Sequence, residues 1–151
     1  PALIEDMRKD EDEKSKKIDE EKFSGVRALV AEDVKINTIL IKKILEKHGC
    51  VVSDVTNGKL AVEAVQNNNY DIIFMDCQMP VMDGFEATDL IRKDEEGTEQ
   101  HSIIIALTAD AMVGDKEKCI DAGMDDYLNK PLRQSAVTQI LDKWAAKRDN
   151  S

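Results

Sequence analysis

The run Ile72-Ile73-Phe74-Met75-Asp76 constrains this chain more than any other short stretch. Four consecutive large apolar side chains do not alternate between core and water. They suit a short strand covered on both faces, as at the centre of a parallel sheet flanked by helices. The run stops at a carboxylate and passes into Cys77-Gln78-Met79-Pro80-Val81-Met82-Asp83-Gly84, a segment punctuated by proline and glycine. A charged group where a buried strand runs out is poorly placed for packing and well placed for chemistry.

The same pattern recurs on either side. Residues 26–31 (V-R-A-L-V-A) read as a first strand. Residues 34–47 have helical spacing, with Ile36, Ile39, Leu40 and Ile44 expected on the inner face and Lys42, Lys43 and Lys47 in solvent. Gly49 closes that helix. Residues 50–55 make a second strand, 58–66 a helix grouping Leu60, Ala61, Ala64 and Val65, and Asn67-Asn68-Asn69 a loop. Residues 71–76 are the third strand, 85–93 a helix and 94–100 a polar turn. Ile103-Ile104-Ile105-Ala106-Leu107 marks a fourth strand over 102–108, followed by a weaker helix over 112–121. Asp126-Tyr127-Leu128 is a short fifth strand. Pro131 is expected to open the last helix, where its missing N–H costs nothing. Ala136, Val137, Ile140, Leu141 and Trp144 form that helix's apolar stripe. Strand followed by helix five times implies a doubly wound α/β domain with an open parallel sheet.

The 151 residues suffice for one such domain and a sizeable core. Residues 1–22 are a mixed-charge run too poor in apolar side chains to build a core, and read as a flexible linker or tail ahead of a domain over 23–151. A formal net charge of -10 argues against a nucleic-acid backbone or an anionic membrane as the main partner. No apolar run is long enough to span a membrane and no signal peptide is evident. The expected location is therefore cytoplasmic, with a parent protein free to be membrane-anchored. Cys50, Cys77 and Cys119 are odd in number and far apart, which speaks for buried reduced thiols over a disulfide framework or a close-spaced metal motif.

In open α/β sheets, sites form at the carboxyl ends of the strands. Those ends carry Glu32 and Asp33, then Thr56 and Asn57, then Asp76, Thr108, and finally Asn129 and Lys130. Each has an ordinary explanation alone. Glu32 and Asp33 can cap a helix, Asp76 can serve a turn, Thr108 can satisfy backbone groups, and Lys130 can lie on the surface. Their coincidence at successive strand ends is harder to explain that way. Clustered carboxylates repel unless a cation offsets them. An all-oxygen set points to a hard divalent ion such as Mg²⁺, with Asp33 and Asp76 as direct ligands and Glu32 holding a bound water. Asp76 can then act as a nucleophile on phosphorus, with Lys130 offsetting charge and the Thr108 hydroxyl donating to a phosphoryl oxygen. A purely metal-binding site accounts for Asp33 and Asp76 but leaves Thr108 and Lys130 without a role. No G-x-x-x-x-G-K-[ST] and no G-x-G-x-x-G is present, against a P-loop or a dinucleotide fold. Asp76-Cys77-Gln78 also lacks the paired D-x-D of many aspartate-nucleophile phosphatases.

Ala31-Glu32-Asp33, Met75 to Gly84 (M-D-C-Q-M-P-V-M-D-G), Ala106-Leu107-Thr108-Ala109 and Lys130-Pro131 together resemble the receiver domains of two-component phosphorelay signalling over about residues 26–147. The wording of M-D-C-Q-M-P and A-L-T-A-D-A-M is similar to receivers attached to hybrid histidine kinases. The resemblance implies a flavodoxin-like (βα)5 three-layer sandwich with a five-stranded parallel sheet in the order 2-1-3-4-5. It implies that Asp76 accepts a phosphoryl group from a phosphohistidine on a histidine kinase domain or a histidine phosphotransfer protein. Mg²⁺, with Mn²⁺ as a substitute, would be held by Glu32, Asp33, Asp76 and the Gln78 carbonyl. Thr108 and Lys130 would read the phosphorylated state and Tyr127 would be the aromatic switch. Gln78 and Asp110, each two positions past Asp76 and Thr108, would tune dephosphorylation, and the bond before Pro131 would be cis. Two settings stay open: the C-terminal module of a hybrid sensor kinase, or a stand-alone regulator acting by phosphorylation-dependent protein binding.

Overall fold

The computed structural model describes residues 23–109 and 113–145. The expected charged tail over 1–22 and the tuning candidate Asp110 lie outside the described residues. The elements alternate as expected: β1 (Arg27–Ala31), α1 (Lys35–Lys47), β2 (Val51–Val55), α2 (Gly58–Asn67), β3 (Ile72–Asp76), α3 (Gly84–Glu95), β4 (Ile104–Thr108), α4 (Val113–Asp121), β5 (Asp126–Asn129) and α5 (Gln134–Ile140). A π-helical turn over Leu141–Ala145 extends the last helix. All strand pairings are parallel, in the order β2-β1-β3-β4-β5. This is the doubly wound, flavodoxin-like (βα)5 fold.

Every residue of β3 and β4 is buried. Successive side chains along these strands point to opposite faces, so each strand feeds two separate cores. One joins Val30, Phe74 and Ile105 to Ile41 and Leu45 of α1 and to Val137 and Leu141 at the chain's end. The other joins Leu29, Ile73, Met75 and Ala106 to Ala61 of α2, Ala87 and Ile91 of α3, and Cys119 of α4. Phe23, fully buried in the first core, marks where the packed domain has already begun.

Three local expectations are corrected. The inner face of α1 is Thr38, Ile41, Ile44 and Leu45, whereas Ile36, Ile39 and Leu40 are exposed. The helix carries two overlapping apolar stripes that share Ile44. Only the position of the sheet chooses between them. Leu60 of α2 likewise faces solvent, while Ala61 and Val62 are buried. Pro131 does not open the last helix, because α5 begins at Gln134 and Pro131 follows a cis bond in the loop before it. Val137, Ile140 and Leu141 are nevertheless buried as the stripe anticipated. Trp144 is half-buried and donates its indole N–H to Asp126 at 3.0 Å, tying the last turn to the start of β5.

Candidate functional site

The parallel order brings the carboxyl ends of β1, β3, β4 and β5 to one edge. The β1–α1 loop supplies Glu32 and Asp33, and β3 ends at Asp76. Their carboxylate oxygens lie within 4.8 Å of one another, with Glu32 and Asp76 buried and Asp33 exposed. Lys130, just past β5, reaches across the sheet edge. Its Nζ is 2.9 Å from both Glu32 Oε2 and Asp76 Oδ2. Burial alone would lower the Lys130 pKa, but hydrogen bonds and charge from Asp76 and Glu32 outweigh it and hold the pKa above its usual value. Lys130 is thus a firm ammonium at neutral pH.

The other contacts orient the carboxylates. Glu32 Oε1 accepts from the Val34 N–H at 3.1 Å. Glu32 therefore engages the start of α1 without forsaking the cluster, and Val34 at the helix N-cap position has no side-chain cap of its own. Asp76 Oδ1 accepts from the Gln78 N–H at 3.1 Å, a backbone donor offered by the turn after β3. That turn is held by Gly84 N–H to the Cys77 carbonyl at 3.1 Å, and by Cys77 N–H to the Leu107 carbonyl at 3.1 Å. Asp83 caps α3 by accepting from the Glu86 N–H at 2.8 Å.

Asp33, Asp76, Gln78, Thr108 and Lys130 line one cavity of about 670 Å³, together with Met79, Phe85 and Cys77. Thr108 is buried at the end of β4, and its carbonyl accepts from the Lys130 N–H at 2.8 Å. Tyr127 does not line this cavity. It pairs in register with Ala106, packs against the second core, and faces a separate groove between α4 and α5 with Lys116 Nζ 5.4 Å from its ring centre. Thr56 and Asn57 stay out of the site. Asn57 caps α2 instead, accepting from the Leu60 N–H at 2.9 Å. His48 is buried against Thr138 and His101 bonds to Asp125, so neither histidine enters the cavity.

An all-oxygen donor set of three carboxylates with a spanning ammonium suits a hard, well-hydrated divalent cation such as Mg²⁺. Softer metals favour sulfur or imidazole, and no such group joins the cluster among the described residues.

The response regulator receiver domain family model matches residues 28–142 of the chain. The chain belongs to that family. Among curated proteins, the receiver domain is 43% identical over 119 residues to the sensor protein GacS of Pseudomonas syringae pv. syringae, covering 78% of this chain and 13% of that protein. It is 40% identical over 127 residues to hybrid signal transduction histidine kinase B of Dictyostelium discoideum, covering 78% of this chain and 6% of that protein. The chain thus spans a small fraction of the curated relatives it matches.

Among solved structures, the receiver domain of the sensor histidine kinase PA1611 from Pseudomonas aeruginosa PAO1 matches with a TM-score of 0.72 and 40% identity over 80% of this chain and 98% of that one. That structure has a magnesium ion coordinated in its active-site cleft. A co-crystal structure of the Saccharomyces cerevisiae histidine phosphotransfer protein Ypd1 with the receiver domain of its downstream response regulator Ssk1 matches with a TM-score of 0.78 and 32% identity, over 83% of this chain and 92% of that one.

Sequence reasoning missed the exposed apolar face of α1, although the second stripe was present in the pattern. It also missed the staple at the opposite end of the sheet. There Arg92 donates to the Gly123 and Ser102 carbonyls and pairs with Glu95 and Asp125. Arg92 and Glu95 are an i,i+3 pair on α3, but no spacing rule links them to Ser102, Gly123 and Asp125, which they meet only once β4 and β5 are side by side.

Proposed function

We propose that the chain is a phosphoacceptor receiver in which Asp76 takes the phosphoryl group of a phosphohistidine. The observation that carries this reading is the convergence of Glu32, Asp33, Asp76 and Lys130 at one sheet edge, with Thr108 lining the same cavity. An Asp76 carboxylate oxygen attacks phosphorus. The new O–P bond forms as the P–N bond to the donor imidazole breaks, and the nitrogen keeps the electron pair and takes up a proton. Mg²⁺ held by Glu32, Asp33, Asp76 and the Gln78 carbonyl would offset phosphoryl charge, with Mn²⁺ as a substitute. Lys130 releases part of its pairing with Asp76 and answers the same charge as a compact ammonium. Thr108 donates its hydroxyl to a phosphoryl oxygen, and Tyr127 follows it, shifting the face formed by α4, β5 and α5. Gln78 and Asp110, each two positions past Asp76 and Thr108 in the sequence, would tune the later hydrolysis of the group.

The donor is a histidine kinase domain or a histidine phosphotransfer protein. The exposed apolar residues Val34, Ile36, Ile39 and Leu40 begin beside Asp33 and offer such a partner an apolar helix face next to the acceptor. The module works in the cytoplasm, in keeping with the lack of any described helix long and apolar enough to cross a membrane. The relatives, hybrid signal transduction histidine kinases among them, favour a hybrid sensor kinase as its setting. We read the chain as the C-terminal module of such a kinase, and the full-length gene decides between that and a single-domain regulator.

Incubation with Mg²⁺ and a small acyl-phosphate donor tests the acceptor. The intact mass should rise by one phosphoryl group in the wild type and stay unchanged in Asp76→Asn. No gain in the wild type, under conditions that modify a known receiver, sinks the reading.

A further inference from the structure

We propose that Cys77 and Cys119 form an oxidant-sensing dithiol, closed by a peroxide into an intramolecular disulfide. Their Sγ atoms lie 3.9 Å apart in the second core, although 42 residues separate them in sequence. A disulfide needs about 2.0 Å between sulfurs, so a movement of roughly 2 Å shared by two side chains closes it. The backbone of Cys77 is anchored to β4 and α3 through Leu107 and Gly84, so most of the adjustment falls to Cys119 on α4.

The two thiols are not equivalent. Cys77 lines the 670 Å³ cavity beside Asp76, while Cys119 is fully buried behind it. A small neutral peroxide entering that cavity meets Cys77 first. The Cys77 sulfur attacks one peroxide oxygen, the O–O bond breaks, and a sulfenic acid and one water result. The Cys119 sulfur then attacks the Cys77 sulfur and expels hydroxide, which leaves as a second water with the Cys119 proton. In total two S–H bonds and one O–O bond are exchanged for one S–S bond and two waters. The sulfurs lose two electrons and the peroxide gains them.

Cys50 is the internal control. It is buried in the other core, on the opposite face of the sheet. Neither of the other two sulfurs shares that core, so Cys50 has no partner thiol to close onto. The disulfide would couple the residue beside Asp76 to α4. Its formation does not depend on whether Asp76 accepts phosphate.

The test uses the full chain, reduced, treated with graded hydrogen peroxide under native conditions, alkylated and mapped by mass spectrometry without reduction. The expected result is a Cys77–Cys119 linked peptide pair and a fall in free thiols from three to one, the survivor being Cys50. Cys119→Ala should instead accumulate a Cys77 sulfenic acid trapped by dimedone, and Cys77→Ala should leave Cys119 unmodified. Peroxide treatment of the wild type that leaves three free thiols, or that links Cys50 or separate molecules, overturns the proposal without recourse to any variant.

Discussion

Gly84→Ala places one methyl group where the structure has no room for it. A Cβ at Gly84 would lie 2.2 Å from the Asp76 carbonyl oxygen and 3.0 Å from both the Asp76 carbonyl carbon and Met75 Cγ. The obstructing oxygen is backbone at the end of a strand whose ladder pairs Asp76 with Leu107, so it cannot swing aside. The first turn of α3 must retreat instead, and this strains the 3.1 Å bond from Gly84 N–H to the Cys77 carbonyl. Overpacking of this kind costs ~1–3 kcal/mol. The weakened hydrogen bond adds ~1 kcal/mol. Alanine's helix preference returns at most ~1 kcal/mol, and less at the first helical residue. The net loss is ~1–3 kcal/mol, which lowers Tm by roughly 3–10 °C for a domain of this size. Urea and thermal unfolding of the two proteins measure it directly. Phosphoryl uptake should fall as well, because the retreat displaces the turn that orients Asp76. Gly58→Ala should behave similarly in stability, since its Cβ would sit 2.5 Å from the Met82 carbonyl oxygen of the same loop. A Gly84→Ala protein as stable as wild type would mean that helix propensity outweighs the close approach, and would refute the reasoning.

Val81 holds a φ of 69° in the loop after β3 and is 78% exposed. A β-branched residue in the left-handed region stores ~1–3 kcal/mol, and asparagine tolerates that region better. Val81→Asn should therefore raise stability by ~1 kcal/mol in urea unfolding, and an unchanged or lower midpoint counts against the strain. Lys130→Ala leaves Glu32 and Asp76 without their shared ammonium, so the metal-free protein should lose stability while Mg²⁺ affinity stays broadly intact. Its Mg²⁺-induced Tm gain should therefore match that of wild type while its phosphoryl uptake drops, and a lost gain would show that Lys130 is needed to hold the cation site together. Burial opposes ionisation of Glu95, but the Ser102 N–H at 2.8 Å and Arg92 overcome it and hold its pKa below the ordinary 4.5. Its contribution is then present above that ordinary value and lost as pH falls through the lower folded value. Glu95→Gln should cost ~1–2 kcal/mol at pH 7 and converge on wild type in acid, a prediction that a pH-independent gap in urea midpoints would defeat.

The strands were legible because short apolar runs have few other uses. Ile72 to Met75 and Ile104 to Leu107 could only be buried on both sides, and they are. The site was legible for a related reason. Asp76, Thr108 and Lys130 are polar groups at the ends of such runs, and parallel strands must bring those ends to one edge. The inner face of α1 was not legible. Ile36, Ile39 and Leu40 satisfy helical spacing as well as Ile41, Ile44 and Leu45 do, and local periodicity carries no record of where the sheet lies.

Sequence alone therefore determined the order of elements, the parallel sheet and the roster of charged groups at its edge, since these follow from local hydrophobic pattern and chain connectivity. Tertiary structure decided which carboxylate oxygens meet Lys130, that Tyr127 faces a groove apart from the Asp76 cavity, and that Cys77 and Cys119 lie in contact. Those are distances between residues far apart in the chain. They are set by the register of β3 against β4 and by the seat of each helix on the sheet, and no short-range pattern encodes either.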